Sequence, residues 1–211
     1  TVLAVSPSSF LNEEMKLFPL SGISNSKTIN CNENGYFSIY ESDRYGFNNP
    51  DTEWEQKEIE YVIVGDSFVH GDCVNRPNDF GSVLRILSKK SVLNLGYAGN
   101  GPLFQYATLR EYSNMNAKKF LWFYTENDLA DLERDIKSEI LINYFNDENF
   151  TQNLIYKHDE IDQSLDELLN KIIEIESKKR LDDKNEKNSI SYKILKFITI
   201  KNIRDLFLNK F

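Results

Sequence analysis

Three short apolar runs constrain this chain more than any other feature: Tyr61-Val62-Ile63-Val64, Ser91-Val92-Leu93-Asn94-Leu95 and Lys119-Phe120-Leu121-Trp122-Phe123-Tyr124. The first is β-branched and ends at Gly65, the pattern of a strand buried in a parallel sheet; the other two read as further strands. Helical patterns separate them. Phe80, Val83, Leu84 and Leu87 recur at helical spacing within residues 78–89, with Asn78 as the expected cap, and Pro102 suits the first turn of a helix running to about 115. Strand, helix, strand, helix, strand with short connections predicts a doubly wound parallel sheet, a flavodoxin-like three-layer α/β/α arrangement.

On either side of this pattern the sequence changes character. Residues 1–56 lack a sustained period and are rich in Asn, Ser, Gly, Tyr and Phe, so they are expected to form irregular structure with short strands, packed on the domain through aromatics. Residues 57–130 carry the α/β core. From about 131 to 211 the pattern stays helical, with helices expected near 128–147, 163–180 and 189–209, as an extension or a lid. The charge run from Glu176 to Lys187 reads as a solvated helix end or loop. The last stretch sets Ile194, Leu195, Ile198, Ile203, Leu206 and Phe207 among lysines, which suits core packing first and a membrane or partner surface second.

Composition removes several functional classes. With 33 acidic and 25 basic side chains the net charge is −8, and no basic block exists to neutralise a nucleic-acid backbone. No segment approaches the roughly 18 apolar residues of a membrane helix. The sequence begins at Thr1 rather than Met, which points to a start upstream where a leader or a membrane anchor could lie. Cys31 and Cys73 do not make a disulfide framework; one bridge in an oxidising compartment and two reduced core cysteines are both open. No metal-ligand spacing is present, and the glycines of the second loop match no nucleotide fingerprint, so no cofactor is expected.

In open α/β sheets chemistry collects where loops converge at the carboxyl ends of the strands. The three ends here are Gly65-Asp66-Ser67, the loop Asn94-Leu95-Gly96-Tyr97-Ala98-Gly99-Asn100, and Thr125-Glu126-Asn127-Asp128. They recur roughly every 30 residues, one βαβ step. A serine directly after a strand exposes its hydroxyl at a helix start, where developing negative charge is favoured. A glycine lets a backbone N–H approach an oxyanion closely, and an asparagine amide supplies another donor. Ser67, Gly99 and Asn127 therefore make a candidate set for acyl transfer.

In this order the motifs resemble the first three sequence blocks of the SGNH/GDSL hydrolase superfamily, over roughly residues 58–130. The resemblance implies a serine esterase acting on a small acyl ester, such as an O-acetyl group on carbohydrate. Ser67 would be the nucleophile and an oxyanion donor, Gly99 and Asn127 the further donors, Asp66 the brace of the nucleophile loop and Asp128 the brace of the third loop. An O-acetyltransferase using the same residues is the alternative within the family. With the possible bridge and the upstream start, the resemblance leans towards an extracytoplasmic protein, its substrate a small-molecule or carbohydrate ester.

Two departures bear on activity. Thr125 stands where the third block usually has Gly. The closing Asp-x-x-His block is absent: His158 has Ile155 at the Asp position, and it is expected to be exposed. His70, three residues after Ser67, is expected on the helix surface or behind the site, pointing away from the crevice. Because the family's sheet normally has five strands, the sequence reads as the front part of a longer enzyme, inactive alone. A non-catalytic module on a degenerate hydrolase fold is the competing explanation.

Overall fold

The computed structural model describes residues 1–11, 15–33, 35–113 and 116–188 of the 211-residue chain, so the helix expected near 189–209 lies outside the described residues. Residues 1–167 form one compact unit, and the described residues after 167 belong to a second.

The N-terminal segment contains a small sheet of β1 (Val2–Leu3), β2 (Lys27–Ile29) and β3 (Ile39–Glu41), with β1 parallel and β3 antiparallel to β2. A 3-10 turn at Pro7–Phe10 buries Phe10, and another at Asp51–Glu55 buries Trp54. The three apolar runs become β4 (Ile59–Val64), β5 (Val92–Asn94) and β6 (Ala117–Trp122), an all-parallel sheet in the order β5-β4-β6. The protein is thus mixed α/β, and its first core strand lies in the middle. β4 is apolar and buried because both neighbours pair with it; Val62 and Ile63 have no exposed surface.

Helices α1 (Ser67–His70), α2 (Phe80–Ser88) and α3 (Pro102–Tyr112) lie in the connections between these strands. Val69 of α1 and Leu84 of α2 pack with Ile63, Val92, Leu121 and Phe123 on one face. Residues alternate across a strand, so Trp122 points to the other face, where its indole donates to Gln105 of α3 at 2.6 Å. The cap of α2 is Asp79, which accepts from the Ser82 amide at 2.9 Å, and not Asn78. The orientation of α2 also differs from expectation. Gly81 and Ser82 are its buried residues, and the Arg85 guanidinium reaches the Val92 carbonyl, whereas Phe80, Val83 and Leu87 of its apolar stripe face outward.

Side chains close the outer edge of β5. Glu53 accepts from the Val92 amide at 3.0 Å, and the Asn49 side chain both accepts from and donates to the Asn94 backbone at 2.8 Å. Pairing of this kind blunts an edge that would otherwise invite another strand. On the other side, β6 pairs only with β4 among the described strands, and Phe120 is 51% exposed.

The helix expected over 128–147 is two: α4 (Asp128–Asp135) and α5 (Glu139–Asn146). Asp135, fully buried, accepts from the Leu103 amide and pairs with Arg134, and Ser138 takes an extended conformation that interrupts the helical path. α6 spans His158–Asn188, so the charge run lies within a helix and not a loop. Among the described residues no helix is long and apolar enough to cross a membrane. Cys31 and Cys73 are joined by a disulfide with a Cα–Cα distance of 4.9 Å, tying the N-terminal segment to the turn that follows α1. Glu33 lies beside the sulfurs, but a disulfide offers no thiolate to a metal.

Candidate functional site

The order β5-β4-β6 makes a switch point between the carboxyl ends of β4 and β6, the place where open α/β sheets form their crevice. Ser67 stands at one wall and Asn127 at the other. Asp66 joins them. Its buried carboxylate caps α1 through the Phe68 amide at 3.0 Å with one oxygen, and with the other accepts from Thr125 Oγ1 at 2.8 Å and Asn127 Nδ2 at 3.3 Å. Thr125 is therefore a member of the site: its hydroxyl replaces the flexibility of a glycine with a bond between the two loops. Asn127 Oδ1 also lies 2.7 Å from this hydroxyl, which has a single proton to share between Asp66 and Asn127.

Asp128 braces the third loop from within. It is buried, accepts from the Thr125 amide at 2.5 Å, and takes a second bond from Gln105 at 3.1 Å. Ser67 is half-buried and its hydroxyl takes no part in this network, while Phe68 beside it is 70% exposed.

The middle loop is fixed by close approach. Asn94 accepts from the Gly96 amide at 2.9 Å and donates to the Val69 carbonyl at 2.6 Å, drawing α1 onto the loop. A Cβ on Gly96 would stand 2.7 Å from Val69 Cβ, so this residue must be glycine for the serine turn to pack. Gly99 has φ +79°, a backbone that side chains disfavour, and its Cβ position is taken by Ser6 Oγ. The N-terminal turn thus lies over Gly99, a covering that nothing in the sequence signals. The Gly99 carbonyl accepts from Arg134, which pairs with Asp131; Asp131 in turn accepts from Asn127 at 3.4 Å. This relay connects all three strand-end loops. The two bonds from the Asn127 amide, at 3.3 and 3.4 Å, are long, so redirecting one N–H to an oxyanion gives up little.

Neither histidine of the chain adjoins the Ser67 hydroxyl. His70 is wholly buried instead of lying on a helix surface: Nδ1 accepts from the Ala98 amide at 3.2 Å, which leaves the proton on Nε2, 3.0 Å from the Tyr40 hydroxyl. The ring stacks on Tyr97 at 4.4 Å. Burial pushes its pKa down to about 4. His158 is half-buried at the start of α6, next to Tyr45 and Asp159.

A pH dependence of stability follows. His70 is neutral in the fold and protonates near pH 6.5 once unfolded, so its contribution is complete above 6.5 and is lost as pH falls towards 4. The loss amounts to about 3 kcal/mol over that window. Asp43, which burial holds at about 6, opposes it, favouring the fold at low pH and losing that favour as pH rises through 6. Between pH 4 and 7 the slope of stability against pH in urea unfolding should therefore be more negative for His70→Gln than for the unaltered protein. Equal slopes would contradict the buried neutral ring.

Comparison of the chain with family models, curated proteins and solved structures finds no match.

Proposed function

We propose that the chain carries the acyl-accepting half of a serine ester hydrolase of the SGNH/GDSL type. One observation carries this reading: the Asp66 carboxylate bonds Thr125 and Asn127 across the crevice, holding Ser67 at the end of the middle strand opposite an asparagine amide. The central position of the first strand and the β6 edge without a described partner support a flavodoxin-like sheet that continues beyond β6.

Ser67 Oγ attacks the carbonyl carbon of a small acyl ester, such as an acylated carbohydrate. The Oγ–C bond forms as the hydroxyl proton passes to a base, leaving a tetrahedral oxyanion; its collapse breaks the bond to the alcohol, which takes up that proton. Water then releases the acid and restores the serine. Donors at Asn127 and Gly99 meet the charge on the tetrahedral oxygen. Asp66 and Asp128 keep the loops in place and do not touch the ester.

Because His70 and His158 are engaged elsewhere, neither supplies the base. Imidazole in solution can stand in for it. Hydrolysis of a p-nitrophenyl ester should rise above the protein-free rate in proportion to imidazole, with a burst equal to one acyl group per chain. No protein-dependent rate at any imidazole concentration would contradict the proposal. That same engagement of the histidines favours one second reading, a non-catalytic module, for which neither burst nor imidazole dependence is expected.

A further inference from the structure

From the cavity that begins one residue beyond Ser67 we infer that the acyl group is a chain of several carbons and not acetyl. This rests on the proposed acyl-serine chemistry and specifies its substrate. The cavity has a volume of about 460 Å³ and is lined mostly by the carbon of Phe68, Val74, Phe80, Val83, Leu84 and Leu87, with Asp72 and Asn78 as its polar side chains. That volume falls within the range of small-molecule sites, whose walls are mostly carbon with a few polar groups at one end.

Its place is fixed by the turn after α1. The Asp72 amide donates to the Ser67 carbonyl at 3.0 Å, and the Gly71 amide donates to the Phe68 carbonyl at 3.2 Å, so the turn closes on α1 and leaves Phe68, the residue directly after the serine, in the wall of the groove. Asn75 accepts from the Ile39 amide at 2.7 Å, and Arg76 donates to the Glu41 and Asn49 carbonyls, pinning the turn to the N-terminal segment. The far wall is the outward stripe of α2. Phe80, Val83, Leu84 and Leu87 lie at successive i, i+3, i+4 and i+7 positions and form a ridge about 10 Å long at 1.5 Å per residue. Phe80 is held edge-on to Phe123 with ring centres 4.6 Å apart, which fixes the inner end of the ridge. Leu87, 77% exposed, leaves the outer end open to water.

Apolar surface in such numbers gains stability only when something covers it. An alkyl chain fits because it has no hydrogen bonds to satisfy and is tethered by the carbonyl that Ser67 attacks. Two polar side chains, Asp72 and Asn78, line the groove, too few to pair the hydroxyls of a sugar ring, so the sugar or other alcohol belongs on the Asn127 side of the crevice.

The test is the rate of Ser67 acylation, in imidazole, by p-nitrophenyl acetate, butyrate, hexanoate and octanoate, paired with calorimetric titration of octanoate. Each buried methylene should raise the second-order rate about fourfold until the groove is full. Leu87→Glu and Val83→Glu, at exposed positions where the fold is not at risk, should flatten this series and weaken octanoate binding. Acylation of Ser67 at rates independent of chain length would overturn the groove while leaving the serine chemistry standing. If no ester acylates Ser67, the proposed function fails and octanoate decides the groove by itself: binding lost in Leu87→Glu supports it, and no binding overturns it. A flat series with self-association of the protein that Leu87→Glu abolishes would assign the stripe to a second copy, also overturning the inference.

Discussion

Replacing Asn127 with Ala is expected to slow imidazole-supported ester turnover by about 10²- to 10³-fold, the usual consequence of removing one oxyanion donor. The amide has two N–H groups, and in the free protein both go to carboxylates at long range, Asp66 at 3.3 Å and Asp131 at 3.4 Å. Substrate therefore competes for a donor that is weakly held. Because the donor meets charge that develops only in the transition state, kcat should fall with KM little changed. Thr125 still bonds Asp66 in the variant and keeps the loop attached to the serine turn, so the thermal midpoint should stay within a few degrees. Equal losses in kcat and stability would show that Asn127 supports structure and not the oxyanion.

A second large effect lies away from the crevice. Glu111 of α3 is buried, and its carboxylate accepts four hydrogen bonds: one oxygen takes those of the Tyr144 hydroxyl, Thr151 Oγ1 at 2.8 Å and the Gln152 amide at 2.7 Å, and the other takes the Leu154 amide at 2.7 Å. It anchors the segment between α5 and α6 to the core helix. Glu111→Gln keeps the shape but turns an NH₂ group towards a donor, and the remaining bonds lose their charge assistance. A loss of about 3–5 kcal/mol is expected, read as a lower urea midpoint with an unchanged m value. A loss under about 1 kcal/mol would mean that the carboxylate is not the anchor.

The parts of the fold that could be seen in sequence are those written in neighbouring residues. Each core strand follows from its own apolar run, and Gly65-Asp66-Ser67, Gly99 and Asn127 stand out because each follows such a run directly. The structure bonds Asp66 to Asn127 between two strand-end loops, and adds Thr125, which looked like a defect in the motif and is instead a hydrogen-bond donor. What stayed hidden depends on distant partners. Asn49 reads as a turn residue, yet its amide pairs with the backbone of Asn94. Glu111 reads as one polar position of a helix, until the loop after Phe150 wraps over it. Ser6, far upstream, fills the space that Gly99 leaves open. The α2 stripe has the right period for a core face, but period alone does not say which way a helix turns. Gly81 and Ser82 let the backbone of α2 approach β5, and the large apolar residues were left for the groove.

Everything proposed here turns on whether Ser67 becomes acylated. The protein should be incubated with a p-nitrophenyl ester and imidazole, quenched in acid and digested, and the masses of its peptides compared with those of Ser67→Ala. A single acyl adduct is expected on the peptide containing Ser67, absent from the variant. An adduct on Ser6, Ser8 or a lysine with Ser67 unmodified, or no adduct on any residue, would contradict it.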